Sequence, residues 1–195
     1  MNVHASRHVR ARAPADGETQ ATSARDRALV VCAHPDLAAS GFSRPFLEAL
    51  DESCFAKKAL AETYPDWRFD VAREQADLVA AAEIVLLFPV FWYSPPALLQ
   101  KWLEDVLVDS DGFEQRASLA GKPARMIVST GGSADEYGPA GKNGHSVEDF
   151  LRSLETTLRY VGCVVGPSEV HHAAWRYSEE EVRALAGRFA AERRR

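Results

Sequence analysis

The stretch Phe88 to Tyr93 (FPVFWY) decides the fold class, because it closes a near-continuous apolar run that begins at Ile84 (IVLLF). A run without polar alternation is typical of a strand that is covered on both faces, as in a parallel sheet. Side chains of a strand alternate between its two faces, so three consecutive aromatic residues cannot all be buried in one layer. The stretch therefore predicts a buried strand that ends in an aromatic loop.

The segments on either side repeat this pattern of a short apolar strand followed by an amphipathic helix. Strands are predicted at 28–33 (ALVVCA), near 59–63, at 84–88, at 125–130 and at 163–170, and helices at 43–50, 71–82, 96–107, 147–160 and 178–193. Such alternation predicts an α/β fold in which helices cover both faces of a parallel sheet. Ligands of such sheets bind beyond the carboxyl ends of the strands, so the loops after 33, 88, 130 and 170 are the candidate site loops.

Composition and charge limit the class of protein. The chain has 195 residues and a net charge of −5, and this lack of basic excess argues against nucleic-acid binding. Cys32, Cys54 and Cys163 are odd in number and unclustered, which indicates neither a disulfide framework nor a zinc site and fits the cytoplasm. No apolar run approaches the roughly 18 residues of a membrane span. Residues 1–26 lack apolar periodicity and are predicted to be a disordered extension rather than a transit peptide, with 27–195 as one domain.

The first candidate loop, 34–43 (HPDLAASGFS), joins a strand to the start of a helix. Backbone N–H groups at such a junction bind phosphate, and His34, Ser40 and Ser43 would add side-chain donors. The sequence also fits an ordinary turn in which Ser43 is the N-cap of the helix. Neither a Gly-Lys-Ser/Thr motif nor a GxGxxG motif is present, which disfavours the nucleotide-binding folds that carry them.

The second loop, 89–96 (PVFWYSPP), presents three aromatic residues at the ligand end of the sheet, and two prolines stiffen its exit. A rigid aromatic surface with exposed backbone polar groups suits a flat heteroaromatic ring. A hydrophobic subunit interface is the alternative interpretation, and the two are compatible.

The third loop, 130–144 (TGGSADEYGPAGKNG), has five glycines in fifteen residues. Gly131 and Gly132 permit close approach of the backbone to a ligand, and Tyr137 offers a phenol as a hydrogen-bonding partner. A flexible loop with an exposed tyrosine is the alternative. His171 and His172 follow the last strand without further ligands at metal-site spacing, so they are predicted to be structural or surface residues, and no metal site is expected.

In their order and spacing, these motifs resemble the NAD(P)H:quinone oxidoreductase family of the flavodoxin-like superfamily, over roughly residues 28 to 175. Its members include bacterial ancillary oxidoreductases of glutathione-gated potassium efflux, general-stress quinone reductases and mammalian quinone reductases. The matching motifs are His34-Pro35 with Ser40, Tyr64-Pro65-Asp66, Glu74-Gln75, Phe88 to Trp102, Gly121-Lys122, and Thr130-Gly131-Gly132 with Tyr137 and Gly141.

The resemblance implies a flavodoxin-like three-layer sandwich, with a five-stranded parallel sheet in the order 2-1-3-4-5. It further implies a homodimer that holds FMN, with FAD as the alternative, and that passes hydride from NAD(P)H to a quinone-like acceptor by a ping-pong mechanism. A regulatory flavoprotein subunit bound to a membrane potassium efflux transporter and a flavodoxin-like electron carrier are the alternative functions. The sequence does not distinguish NADH from NADPH.

The resemblance also implies roles for individual residues. The flavin phosphate is held by His34, Ser40, Phe42 and Ser43. The flavin ring is lined by Pro89, Val90, Phe91, Trp92 and Tyr93, and its other edge is closed by Thr130, Gly131, Gly132, Tyr137 and Gly141. The implied catalytic residues are Tyr137, which matches a tyrosine that stabilises charge on the reduced flavin in mammalian members, and Asn143, which stands where those members have a histidine. The family usually has asparagine where Ser43 stands.

Overall fold

Six strands form the sheet of the computed structural model, which describes residues 27–193. They are β1 Ala28–Cys32, β2 Phe55–Ala59, β3 Glu83–Pro89, β4 Pro123–Ser129, β5 Val164–Val165 and β6 Glu169–His171. All pairings are parallel, and the order is β2-β1-β3-β4-β5, with β6 also pairing with β4. The predicted parallel order is confirmed, with two short strands at the fifth position. The predicted extension at 1–26 lies outside the described residues.

Seven α-helices within residues 27–193 cover the two faces of the sheet. They are α1 Ser43–Ala49, α2 Leu60–Thr63, α3 Val71–Ala80, α4 Ala97–Val106, α5 Gln115–Ser118, α6 Val147–Tyr160 and α7 Glu179–Arg193. Helices α1 and α7 pack on one face through residues such as Phe46 and Phe189. Helices α3, α4 and α6 pack on the other face through residues such as Leu78, Trp102 and Leu154. The chain is therefore the predicted three-layer sandwich. None of the helices in this part of the chain has both the length and the hydropathy that a bilayer crossing requires.

The position of β3 between the two helical layers explains why its sequence is continuously apolar. Ile84, Leu86 and Phe88 belong to the core beneath α3, α4 and α6, whereas Val85 and Leu87 belong to the core beneath α1 and α7. Every residue of β3 is buried. A central strand needs apolar side chains on both faces, and burial of one such side chain contributes roughly 1.5–3 kcal/mol.

The segment before α3 differs from the prediction. The strand predicted near 59–63 is wrong, because β2 ends at Ala59 and Leu60–Thr63 form the short helix α2. The strand sequence FAKKA shows no apolar pattern, since Lys58 is a buried residue within it. The Lys58 ammonium pairs with Glu74 at 2.5 Å and with Asp77 at 2.6 Å. A lysine is rarely buried unless it is paired in this way.

The structure corrects the prediction for the last strand and confirms the prediction for the start of the last helix. The strand predicted at 163–170 is interrupted, since β5 and β6 are separated by Gly166, Pro167 and Ser168. Proline has no N–H to donate to the ladder, so regular pairing stops there. The capping box predicted for the final helix is confirmed, because the Ser178 N–H donates to Glu181 Oε2 (2.7 Å) and the Glu181 N–H donates to Ser178 Oγ (3.2 Å).

A buried polar cluster, formed by Lys58, Tyr64, Glu74 and Trp102 and called the Glu74 cluster below, holds the edge strand β2 to α3 and α4. Glu74 is fully buried. Its carboxylate accepts hydrogen bonds from the Tyr64 hydroxyl (2.6 Å) and the Trp102 indole N–H (3.0 Å), in addition to the ion pair with Lys58. Buried polar groups are tolerated when all of them have partners, so this cluster accounts structurally for the tyrosine and glutamate motifs of the sequence.

Alkaline pH is expected to lower the free energy of unfolding. Burial raises the pKa of the Cys32 thiol from 9.0 to about 12, and burial together with the hydrogen bond to Glu74 raises the pKa of Tyr64 from 10.0 to about 12. As pH rises from 9.0 to about 12, the native state keeps protons that the unfolded state releases. The free energy of unfolding that these two groups contribute is therefore complete below that range and is lost within it. Urea unfolding at about pH 8, 9.5 and 11 measures the decline, and Cys32→Ala is expected to reduce its slope. Constant stability across this series would contradict these protonation states.

Candidate functional site

Four segments at the carboxyl end of the sheet converge on one groove of about 360 Å³. They follow β1, β3, β4 and β6, as expected for ligand sites of parallel sheets. The lining consists of His34, Ala39, Ser40, Gly41, Phe42, Pro89, Val90, Phe91, Ser129, Thr130, Gly131, Ala174 and Trp175. The structure therefore brings together eight of the predicted site residues, namely His34, Ser40, Phe42, Pro89, Val90, Phe91, Thr130 and Gly131.

A groove of larger volume, about 740 Å³, lies between α3 and residues 110–113. Its wall along α3 includes Ala72, Ala76 and Ala80. It does not contain the loops that follow β1, β3 and β4. Because convergence of such loops marks ligand sites in parallel sheets better than size does, we assign the site to the smaller groove.

The loop after β1 supplies the polar end of this groove. His34 Nδ1 accepts a hydrogen bond from the Asp36 N–H (3.2 Å). Burial lowers the pKa of the His34 imidazole, which favours its neutral form. With Nδ1 acting as an acceptor, the proton of the neutral ring is on Nε2, which is then a hydrogen-bond donor. Among residues 27–193 no hydrogen bond is formed by the N–H groups of Gly41 and Phe42, so both remain available to a ligand.

Ser43 has a different place from the one predicted. Its hydroxyl is fully buried, has no hydrogen-bond partner within the described residues and does not border the groove. The alternative interpretation, in which Ser43 is an ordinary N-cap, is wrong, because Phe42 is the N-cap residue and Ser43 is the first residue of α1. Ser40 instead provides the capping oxygen, since its Oγ accepts from the Ser43 N–H at 2.8 Å. A side chain placed three residues before an N–H reaches it readily.

The aromatic loop after β3 is a tight turn. Phe91 and Ser94 exchange backbone hydrogen bonds of 3.0 and 3.1 Å, and the two residues between them have left-handed backbone conformations, with φ 50° at Trp92 and φ 65° at Tyr93. Non-glycine residues adopt this region at a cost of roughly 1–3 kcal/mol each. The turn directs Phe91 toward His34, at 6.0 Å between ring centroids, whereas Trp92 is 92 % exposed. Phe91 therefore borders the groove and Trp92 does not.

The loop after β4 is ordered by its own hydrogen bonds. Its short helical turn at Ala134–Glu136 has a capping box formed by Ser133 and Glu136, and the Asn143 N–H donates to Glu136 O at 3.0 Å. A Cβ added to Gly141 would lie 2.5 Å from the Glu136 backbone, so only glycine fits there. Gly141 therefore shapes the loop rather than bordering the groove. Gly132 is less constrained, because an added Cβ would meet the Glu136 and Tyr137 side chains and not backbone atoms.

Tyr137 and Asn143 are not paired with each other. The Tyr93 hydroxyl donates to Asn143 Oδ1 at 3.2 Å, which joins the aromatic turn to the third loop. The Tyr137 ring packs instead against His172, at 5.2 Å between centroids. The Thr130 hydroxyl donates to Gly132 O (2.9 Å), so its 3.2 Å contact with His172 Nδ1 requires that nitrogen to carry the proton. His172 is thus a neighbour of Tyr137 that sequence reasoning did not identify as a site residue.

The sequence analysis did not name five of the groove residues individually, namely Ala39, Gly41, Ser129, Ala174 and, the largest of them, Trp175. Trp175 is 71 % exposed, and its indole N–H donates to Gly131 O at 3.0 Å. The neighbouring His171 is buried against Phe42, at 4.8 Å between ring centroids, which fits the structural role predicted for it. The only available signal for Trp175 was its position shortly after the carboxyl end of the last strand.

The groove fits a flat ring that carries a phosphate tail. Pro89, Val90 and Phe91 form an apolar wall beside the strand ends, and the Gly41 and Phe42 N–H groups with the neutral His34 form a donor set for an anion. Small-molecule sites typically combine an apolar wall with a few oriented polar groups and occupy roughly 300–1,000 Å³. In the described part of the chain, no three His, Cys, Asp or Glu side chains are grouped as a metal ion would require.

A protein-family model described as the flavodoxin-like fold matches residues 26–192 of the chain. General stress protein 14 of Bacillus subtilis is 32 % identical over 164 residues, which is 83 % of this chain and 94 % of that protein. The glutathione-regulated potassium-efflux system ancillary protein KefG of Cronobacter sakazakii is 37 % identical over 135 residues, covering 67 % of this chain and 72 % of that protein. The sequence similarity therefore extends over all of the segments that form the groove.

Two solved structures share the fold over nearly their whole length. General stress protein 14 of Treponema denticola, in complex with FMN, has a TM-score of 0.76 and 29 % identity, covering 86 % of this chain and 97 % of that one. An NADPH-quinone reductase from P. pentosaceus has a TM-score of 0.73 and 25 % identity, covering 84 % of this chain and 97 % of that one. The groove thus belongs to a fold whose solved examples include a flavin complex.

Proposed function

The chain belongs to the flavodoxin-like fold family, and from that premise we propose that it is a flavin-dependent NAD(P)H oxidoreductase that reduces quinones or similar acceptors by two electrons. The observation that carries the proposal is the convergence of the loops after β1, β3 and β4 on one groove with an anion-binding end and an aromatic wall. The FMN in the T. denticola relative and the activity named for the P. pentosaceus reductase support it.

In this proposal the first loop holds the flavin phosphate. The Gly41 and Phe42 N–H groups and His34 Nε2 donate to the phosphate oxygens, while Ser40 fixes the loop through the Ser43 N–H. Ser43 contributes through this backbone bond, because its hydroxyl is buried beneath the loop. Hydrogen bonds of N–H groups to a charged oxygen are about twice as strong as neutral ones, so a few donors are sufficient.

The second and third loops hold the ring. Phe91, Pro89 and Val90 provide the apolar wall, and the backbone of Thr130 and Gly131 faces the opposite edge. When bound, the flavin supplies the hydride chemistry, and the protein supplies position and electrostatics. Tyr137 is the proposed catalytic phenol, which holds a proton at the polar edge of the ring. Asn143 acts as a positioning residue, since its contact is with Tyr93.

The experiment that tests the function starts from purified protein supplied with FMN or FAD. We expect a yellow protein whose flavin, released by heat and identified by mass, is FMN, and whose bound flavin is bleached by NADPH or NADH and reoxidised by a quinone. Release of FAD would correct the cofactor but leave the activity intact. Protein that binds neither flavin and oxidises neither dinucleotide would refute the proposal.

Quaternary structure and location are part of the same proposal. The aromatic turn leaves Trp92 almost fully exposed beside the half-exposed Phe91 and Tyr93, and an apolar patch of this kind is commonly covered by another protein surface. We assign that surface to a second copy in a cytoplasmic homodimer. Light scattering should then give twice the 21.5 kDa chain mass, and Trp92→Ser should shift the mass toward the monomer.

A second candidate function is regulation of a membrane transporter, which the similarity to KefG favours. In this case the flavoprotein would bind a potassium efflux transporter, and catalysis would be secondary. Such a subunit is expected to retain the transporter in detergent extracts of the tagged protein. Retention should be unchanged in Tyr137→Phe even if that substitution lowers turnover. A flavodoxin-like electron carrier would instead fail to take hydride from NAD(P)H.

A further inference from the structure

We propose that Trp175 and Arg176 form a recognition site at the rim of the groove for the phosphate-bearing part of the nicotinamide dinucleotide. This inference rests on the proposed function and adds to it the residues that bind the reducing co-substrate. The pair is called the Trp175–Arg176 shelf below.

The shelf is placed by an unusual backbone conformation. Ala173 is buried and left-handed, with φ 48° and ψ 47°, which costs an alanine roughly 1–2 kcal/mol. Two hydrogen bonds keep it there, from the Ala173 N–H to Gly132 O (2.7 Å) and from the Ala174 N–H to Thr130 O (2.9 Å). The chain is thereby turned against the third loop, so that Trp175 borders the groove and Arg176 lies beside the Trp175 ring. Left-handed non-glycine residues of this kind concentrate at functional sites.

Trp175 offers a fixed flat surface. Its indole N–H donates to Gly131 O, which sets the orientation of the ring although most of its surface is exposed. An exposed indole is costly to leave in water and is well suited to stack on a planar group. Because Trp175 borders the same groove as Phe91 and Thr130, a molecule bound at the ring site lies within reach of it.

Arg176 adds a charge that has no ion pair within residues 27–193, although it contributes, after the hydrogen bonds to Ser133 and to the Asp135 backbone, to the lowered pKa of the Asp135 carboxyl. Its guanidinium lies 4.9 Å from the centroid of the Trp175 ring. Two arginines that stack on buried aromatic rings, Arg125 and Arg193, are both paired with Glu83. Arg116 stacks on the exposed Tyr160 ring and donates to the Tyr160 carbonyl oxygen. The Arg176 donors are therefore available for an external anion, and the planar guanidinium matches phosphate by two parallel hydrogen bonds.

A dinucleotide satisfies both halves of the shelf. It carries planar bases and a pyrophosphate, and NADPH carries one further phosphate. The flavin phosphate already has the Gly41 and Phe42 N–H groups and His34 as donors in the proposed function. A nicotinamide that reaches the ring site must leave its phosphates nearer the rim, where the shelf stands.

The test compares flavin-loaded wild type with Arg176→Ala and Trp175→Ala, using NADP⁺ and NAD⁺ as non-reacting probes in calorimetric titrations. Arg188→Ala removes the same charge from the C-terminal half of α7, where Arg188 is exposed, and serves as the control. Loss of a charged hydrogen-bonding partner is expected to raise the dissociation constant of the dinucleotide roughly 10- to 100-fold in Arg176→Ala. Trp175→Ala is expected to weaken binding as well, and Arg188→Ala is expected to match wild type.

The two probes identify the phosphate that is recognised. Weakening of both NADP⁺ and NAD⁺ assigns Arg176 to the pyrophosphate, and weakening of NADP⁺ alone assigns it to the additional phosphate of NADPH; either result supports the shelf. In parallel, apoprotein is titrated with FMN and riboflavin by fluorescence. If Arg176→Ala weakens FMN but not riboflavin, the arginine serves the flavin phosphate and the inference is overturned, as it is if both dinucleotides bind as in wild type. Wild-type protein that binds flavin but neither dinucleotide would refute the proposed activity itself.

Discussion

Glu74→Ala is expected to lower the free energy of unfolding by about 3–5 kcal/mol, the range measured when one partner of a buried ion pair is removed. Glu74 is fully buried, and its carboxylate is the shared acceptor of the Glu74 cluster. Its removal leaves the Tyr64 hydroxyl and the Trp102 indole N–H buried without an acceptor. Within residues 27–193, the one partner that Lys58 then keeps is Asp77, whose side chain is 41 % exposed.

The contributions of charge and hydrogen bonding can be separated in the same experiment. Glu74→Gln keeps one acceptor oxygen and the side-chain volume, so we expect a smaller loss than in Glu74→Ala. Asp105→Ala removes a carboxylate that pairs with Lys101 at 2.7 Å on the outer face of α4, and surface pairs of this kind contribute about 0–1 kcal/mol. Urea unfolding of flavin-free protein measures all three, because a bound flavin would add its own binding free energy. A loss in Glu74→Ala no greater than that in Asp105→Ala would show that the cluster does not stabilise the fold.

The fold was largely predictable because its elements are locally encoded. Helix α6 has the predicted bounds, since Ser146 caps its start by accepting from the Asp149 N–H at 3.2 Å and its apolar residues recur on one face. Strand β3 was predictable from its unbroken apolar run. Strand β2 was not, because Lys58 is buried through ion pairs with α3 residues that are distant in sequence. The local sequence pattern does not show that a charged side chain is paired with residues that are distant in sequence.

The part of the groove that follows from the sheet alone lies at the strand ends, whereas Phe42 was predicted only from the family resemblance. Pro89 is the last residue of β3, Thr130 directly follows β4, and His34 is the second residue after β1. Their convergence follows from the parallel sheet. Trp92 was expected to line the ring site, but the left-handed turn at Trp92 and Tyr93 sends its side chain outward. Trp175 was missed for the opposite reason, since a left-handed Ala173 brings it to the groove. Residue preferences do not predict a left-handed backbone conformation at tryptophan or alanine, because this conformation is rare at both residue types.

Ser40→Asp is expected to weaken FMN binding by more than about 100-fold relative to Ser40→Asn, while both variants bind riboflavin equally. Ser40 borders the groove and is nearly buried, and its Oγ accepts from the Ser43 N–H at 2.8 Å. Asp and Asn cap such an N–H as well as serine does, so both variants keep the loop conformation. They are nearly identical in size and differ in charge alone, which makes each the control of the other.

The size of the effect follows from the proposed position of the phosphate. At an effective dielectric constant of about 20, two like unit charges about 5 Å apart repel by roughly 3 kcal/mol, which corresponds to more than about 100-fold in the dissociation constant. Riboflavin has the same ring but no phosphate, so its affinity reports the ring site alone. Fluorescence titration of the apoproteins with both ligands measures the four affinities, and repetition at higher salt should reduce the difference between the variants. Equal FMN affinity in Ser40→Asp and Ser40→Asn would place the phosphate away from this loop. Such a result would not contradict the ring site at Phe91, because riboflavin binding reports that site separately.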